Sequence, residues 1–400
     1  MLLIGSGTVT LAQNWPCWRG PDQDGTSAVT NIPTKWDSVT NVIWKVTVPG
    51  SGYSSPVIWE ERLFLTSAIV DSRERILLCY DKNSGDMLWK KTYLTAPLEA
   101  KHKDNSYASG TPATDGNLVY ISFLDGKDAV VAAYDFSGNK VWEQRPGKFY
   151  SGWGYSCSPR LYKNMVIING NSPGGEPFVT AINKTEGEII WKVDHEKAAN
   201  NFSTPIIKEI GGKTQMIFLG NQEIAALNPD DGSQYWVVDG PASDFCSSPV
   251  YNEKHNLVIA STAWPRRVLM AIRPDGEGNV TESHVVWRSM DGAVYVPSPV
   301  TIDDYLYTTM TNGRLHCIDI VSGEILWVEE HGAQYSSPVV VNGLVYIPND
   351  EGVITVIKPG PVFESVARNE IGEKMNASPA ISDGRIYIRG YEHLFCIGEK

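Results

Sequence analysis

Apolar positions fall in short runs of four to eight residues, some alternating with polar ones and some continuous, and each run is bounded by Gly, Asn, Asp or Pro. That period and punctuation predict strands rather than helices. In QYSSPVVVNGLVYIPN, residues 334–349, Ser-Pro opens one run, Asn-Gly makes a turn and a second run follows. Asn-Gly between such runs predicts a hairpin, because both residues accept the positive φ that a tight turn needs. The same unit recurs along the chain. Ser or Thr precedes Pro56, Pro112, Pro159, Pro205, Pro249, Pro299, Pro338 and Pro379, and over these seven intervals the spacing averages about 46 residues. Such a period belongs to one blade of a propeller or one unit of a solenoid.

Second runs include LVYIS at 118–122, MVIIN at 165–169, LVIAS at 257–261, LVYIP at 344–348 and RIYIR at 385–389. A third run, a turn and a fourth run come next, as in CYDKNSGDMLW, AYDFSGNKVW, AINKTEGEIIW, ALNPDDGSQYW and CIDIVSGEILW. In these copies Trp stands four residues after Gly, at 85/89, 138/142, 187/191, 232/236 and 323/327. Asp or Asn opens the turn by bonding its own backbone, Gly takes the positive φ, and the strand then turns Trp toward a neighbouring unit. Four strands make a small sheet that needs both faces covered, and eight such sheets close into a ring. The expected fold is therefore all-β, an eight-bladed β-propeller of four-stranded antiparallel blades.

The ends of the chain predict how the ring shuts. HLFCIGEK stops after the third strand of the last copy, whereas NVIWKVTV, residues 41–48, precedes the first Ser-Pro and carries Trp44. The amino-terminal strand is expected to complete the last blade, giving one propeller domain over residues 40–400 behind a lead-in segment, 14–39. Two copies depart from the pattern: RPDGEGNVTESHVVW stretches the turn before Trp287, and KPGPVFESV offers Phe363 in place of Trp. Proline belongs at a strand's first residue or on an edge, so the Ser/Thr-Pro strands are expected to be innermost, beside the channel. The loops leading into them and those joining second to third strands then gather on one face, where a ligand would bind.

Composition agrees, with 42% hydrophobic residues and the turn-rich, aromatic mixture of 36 Gly, 24 Pro and 13 Trp. A net charge of −12 argues against nucleic acid, which requires a cationic surface. No apolar run is long enough to span a bilayer. Residues 1–13, MLLIGSGTVTLAQ, lack charge and place small residues near Ala12, which reads as a signal-peptide remnant and an exported, periplasmic or envelope-associated protein. Cys17 follows Asn14-Trp15-Pro16, not the small residues that precede a lipidated cysteine. Of the six cysteines, Cys79, Cys317 and Cys396 occupy the third-strand place held by Ala133, Ala181, Ala226, Ala271 and Val356, so buried free thiols are expected. Cys157 and Cys246 lie at inner-strand starts. The periodic Trp residues are structural; Trp153, Trp264 and Tyr107 stand where the repeat breaks, and they are the aromatics expected at the mouth.

The phrases AYDFSGNKVW and CIDIVSGEILW, with the opening WPCWRGPDQDGTS, resemble the repeats of the pyrroloquinoline quinone (PQQ)-type propellers over residues 40–400. That resemblance implies one of two activities. Quinoprotein dehydrogenases hold PQQ and calcium in the mouth and oxidise alcohols or sugars; noncatalytic members include the propeller lipoprotein of the outer-membrane barrel assembly machinery. The adjacent Cys pair of many dehydrogenases is missing, as are their long blade insertions. Were PQQ bound, Trp153 and Tyr155 of SGWGYSCSP would lie at the ring, with Trp264 and Asn201 nearby. Lys101, His102 and Arg266 would meet its carboxylates, and Asn171, Glu176 and Asp244 would supply oxygens to calcium. The leading expectation is a noncatalytic, monomeric binding or scaffold module without cofactor, with a protein or glycan partner on one face. The alternatives are the PQQ- and calcium-dependent dehydrogenase and a carbohydrate-binding propeller.

Overall fold

The computed structural model describes residues 13–195, 199–220, 222–240 and 242–399; the signal-peptide expectation falls almost wholly outside them. Among the described residues every regular element is a strand. Eight antiparallel four-stranded sheets follow one another along the chain, and blade 1 runs Val57–Trp59, Arg62–Ile69, Glu74–Asp81 and Met87–Thr95. Blade 8 joins Ala380–Ser382, Arg385–Arg389 and His393–Ile397 to Val42–Thr47, so the amino-terminal strand completes the last sheet.

The repeated Trp explains how blades pack. Trp142 of blade 2 donates its indole N–H to the Lys184 carbonyl in the next blade's turn (2.7 Å). Trp44, Trp89, Trp191, Trp287 and Trp327 do the same, at 2.9–3.1 Å. Five of these rings lie under the turn glycine of the neighbour: Trp44 at Gly85, Trp89 at Gly138, Trp142 at Gly187, Trp191 at Gly232 and Trp287 at Gly323. Gly187 has φ 77°, and a Cβ there would fall 2.8 Å from the Trp142 ring, so backbone conformation and contact both require glycine. Within its own sheet each Trp faces the small third-strand residue: Cys79 opposite Trp89, Ala133 opposite Trp142, Cys317 opposite Trp327, Cys396 opposite Trp44. A larger residue would push the ring off the neighbouring blade. All six cysteines are free thiols, and all but Cys246 are buried.

A second device lies at the channel. The Ser55 amide donates to the Thr111 hydroxyl (3.0 Å), and the same bond links Thr111 to Ser158, Thr204 to Ser248, Ser248 to Ser298, Ser298 to Ser337 and Ser337 to Ser378. Ser378 closes the belt by donating to Ser55 (3.0 Å). Thus seven of the eight repeat Ser/Thr hydroxyls supply the oxygen that satisfies a buried amide one blade away.

Irregular blades are repaired by segments outside the repeat. Phe363 does not fill its own blade's Trp seat; it packs edge-on against Trp327 of blade 6, with centroids 5.2 Å apart. The vacant place beside Tyr346 of blade 7 is taken by Trp36, stacked at 6.4 Å and 7°. The stretched turn before Trp287 supplies Gly278–Asn279, which pairs parallel to Gln234–Asp239 as an extra outer strand on blade 4. The lead-in segment also crosses beneath the channel. Trp15 exchanges both backbone hydrogen bonds with Ile58 of blade 1, and Thr26–Ser27 pairs parallel to Val339–Val341 of blade 7. Between them Arg19, itself buried, donates to the Pro299 carbonyl of blade 6 (2.6 Å), and buried Arg160 of blade 3 donates to the Pro205 carbonyl (2.7 Å) and to Cys17 Sγ (3.1 Å).

Trp36→Ala is expected to cost about 3–5 kcal/mol in denaturant unfolding, the range for emptying a buried Trp site. Trp36→Phe should cost far less, because the indole N–H it removes is buried without an acceptor. Trp153→Ala, on the exposed mouth, should stay within about 0.5 kcal/mol of wild type.

Candidate functional site

The channel is a blind pit. Its walls are the loops leading into the inner strands, its volume is about 280 Å³, and Trp18 of the lead-in segment forms its floor. Trp18 is held there by its indole N–H, which donates to the Ser248 hydroxyl of the belt (3.2 Å). The long insert before blade 2 arches over one side of the opening. Its His102 amide and Asn105 side chain both donate to the Trp153 carbonyl (3.2 and 2.8 Å), and Asp104 accepts the Tyr335 hydroxyl of blade 7 (3.0 Å). The insert is anchored behind by a buried pair, Arg75 with Glu99.

Of the residues anticipated at the mouth, Trp153, His102 and Asp244 line the pit. Trp153 is half exposed and its ring lies 5.6 Å from that of His102. Asp244 is buried and accepts the Asn200 amide (2.9 Å); burial pushes its carboxyl up, and the Asn200 hydrogen bond opposes that. The others stand elsewhere. Tyr155 is buried, edge-on to Phe149, and Lys101 places its ammonium 5.2 Å from the Tyr107 ring. Asn201 caps Ser203, accepting both its amide and its hydroxyl (2.8 and 2.7 Å). Trp264 and Arg266 are exposed on a loop whose Trp264 carbonyl accepts the Ser243 and Asp244 amides. Asn171 is buried with its Oδ1 on the Ala199 amide (2.9 Å), and Glu176 Oε2 faces the Lys148 amide (3.4 Å).

Sequence reasoning passed over Tyr53, Asp104, Phe202, Tyr295 and Tyr335, which line the pit as well. A signal was present. An aromatic residue stands three or four positions before the Pro in GYSSP, NFSTP, VYVPSP and QYSSP, and that is the place that looks into the channel. No such pattern marks Asp104, whose place follows from the path of the insert.

The lining does not fit PQQ with calcium. Among the described residues no Lys or Arg lines the pit, whereas the quinone carries carboxylates that need cationic partners. Calcium takes six to eight oxygens, yet of Asn171, Glu176 and Asp244 only Asp244 reaches the pit. Among the described residues no group of three or more His, Cys, Asp or Glu is arranged to hold a metal ion.

These features define an eight-bladed propeller with a plugged channel and a single-mouthed pit. The chain belongs to the family described as outer membrane protein assembly factor BamB, which matches residues 72–262 and 279–359. It is 23% identical over 356 residues to the outer membrane protein assembly factor BamB of Moranella endobia, covering 88% of this chain and 77% of that protein. Among solved structures it is similar to BamB from Moraxella catarrhalis, with a TM-score of 0.63 at 13% identity, covering 90% of this chain and 97% of that one. It is as similar to the quinohemoprotein alcohol dehydrogenase ADHIIG of Pseudomonas putida HK5, with a TM-score of 0.64 at 11% identity and 97% and 81% coverage. At these identities the structural likenesses speak for the fold alone.

Beside the pit, Asp350 accepts the Tyr335 amide (2.9 Å), and burial pushes its carboxyl up to about 6. An unfolded Asp titrates near about 3.9, so the folded chain holds this proton more tightly and folding is penalised as pH rises from about 4 through 6. Asp350→Asn keeps an acceptor for Tyr335 and removes the charge. It should raise Tm at pH 8 by on the order of 2 °C, with no gain at pH 4, in thermal scans at the two pH values.

Proposed function

We propose that this protein is an exported, noncatalytic binding module of the bacterial cell envelope that holds a protein partner on the mouth face of the propeller. The observation that carries this reading is the chemistry of the pit, whose described lining residues include no Lys or Arg and, of the anticipated calcium ligands, only Asp244, while Trp153 at its wall and Trp264 on a nearby loop are 49% and 61% exposed. Large aromatics on loops held by a rigid ring are the usual anchors of protein recognition. Membership of the BamB family supports the envelope. By the same likeness the partner belongs to the assembly of outer-membrane proteins. The working unit is a monomer, since ring closure leaves no blade unpaired.

Two measurements test this. Native protein incubated with PQQ and calcium should show no stoichiometric quinone absorbance and no dye-linked oxidation of alcohols or sugars; either signal would return the protein to the dehydrogenases. Deleting the gene should lower the amount of folded β-barrel protein in the outer membrane. Wild-type chain should restore it, and a Trp153→Ala/Trp264→Ala chain, folded but with a blunted mouth, should not. Unchanged β-barrel levels after deletion would remove the assembly role, and specific glycan binding at the same Trp pair would replace the protein partner with a carbohydrate.

A further inference from the structure

The pit has a character that a partner-binding surface does not require. Rings from Trp18, Tyr53, Trp153, Phe202, Tyr295 and Tyr335 converge on it, and so do the carboxylates of Asp104 and Asp244. Among the described residues no Lys or Arg is in the lining, and of them the imidazole of His102 is the one group able to take a positive charge. Its Nδ1 lies 3.3 Å from the Asp104 amide nitrogen and 3.5 Å from Asp104 Oδ2.

Tyr53, Tyr295 and Tyr335 are all pushed up, by burial first; Tyr391 and then Asp104 and Asp350 add to this at Tyr53, Cys246 and then Asp244 at Tyr295, and Asp104 and Asp350 at Tyr335, with Arg267 opposing at Tyr295. Asp104 accepts the Tyr335 hydroxyl and has His102 Nδ1 3.5 Å from its Oδ2, Asp244 is hydrogen-bonded by the Asn200 and Ser243 side chains, and the Asp104 side chain remains partly exposed. The enclosure is close to the roughly 300 Å³ at which small-molecule sites begin.

The geometry points to a binding site for an organic cation, a substituted ammonium or a guanidinium group, seated over Trp18, walled by Trp153 and the tyrosines, and neutralised by Asp104 and Asp244. Ring faces carry negative quadrupole charge and attract such cations, most strongly where water is excluded. A carboxylate within the same enclosure adds a long-range term that a neutral ligand does not feel. A sugar would find acceptors and stacking faces here but would leave the carboxylates uncompensated, and an anion would meet them directly. The site stands on the pit alone and holds whether or not the mouth also carries a protein.

Calorimetry on the intact protein tests it with five probes: choline, N-acetyl-arginine amide, choline's uncharged isostere 3,3-dimethylbutanol, benzenesulfonate and glucose. At least one cation should bind, about tenfold or more tighter than the isostere, and benzenesulfonate should not bind. Preference for choline assigns a free small molecule, and preference for the arginine amide assigns a basic side chain of a partner. Trp153→Leu and Asp104→Asn should each weaken cation binding by about tenfold, Trp153→Phe should retain most of it, and Leu88→Ala on the outer strand should leave it unchanged. Equal binding of cation and isostere, tighter binding of benzenesulfonate or glucose, or no cation binding at millimolar concentration in the folded wild type would overturn the proposal. Unfolding midpoints of the variants separate lost binding from lost structure.

Discussion

The architecture rests on one contact made repeatedly: an indole pressed under the turn glycine of the next blade and bonded through its N–H to that turn's carbonyl. A four-stranded blade is thin, and both of its faces must be covered. Burying a ring of roughly 150–250 Å² at each junction supplies the apolar gain. The hydrogen bond fixes the angle between sheets, since a Trp that slid would leave its N–H unpaired away from water. Because the small residue opposite each Trp is Ala or Cys, three of the six cysteines, Cys79, Cys317 and Cys396, are explained by packing.

At the inner rim the restraint is polar rather than apolar. Ser/Thr-Pro does two things there at once. Proline ends the ladder without leaving a donor toward the channel, and the hydroxyl before it satisfies an amide of the adjacent blade. The outer docks and the inner belt together hold each blade at two radii, so loops on the mouth face start from fixed positions. This lets residues as distant in sequence as Asp104 and Tyr335 meet at hydrogen-bond distance across the opening.

What the sequence revealed and what it concealed divides along the same line. The Ser/Thr-Pro pairs, the Gly to Trp spacing and the pairing of Trp44 with the last blade were legible because one physical role is repeated around the ring and periodicity exposes it. Phe363 misled, since a ring in the right place along the chain faces the previous blade, while the vacant seat is filled by Trp36 from outside the repeat. The pit was only half legible. Trp153, His102 and Asp244 were found because they sit on loops the repeat places at the mouth; Asp104 and Trp18 depend on the paths of an insert and of the lead-in segment, which no local pattern encodes. Asn171 and Asn201 are polar residues of the kind that suggests ligation, yet the side-chain oxygen of each is taken by a nearby backbone amide.

The junction of Val42–Thr47 with His393–Ile397 sets a condition on biosynthesis. Its partners are separated by nearly the whole chain, so the loop they close is about as long as this polypeptide allows, and contacts of such high order form slowly. A ribosome must release almost all of the protein before the first blade acquires its second neighbour. Until then two sheet edges stay unprotected, and the growing molecule remains open, a candidate for chaperone custody instead of stepwise compaction.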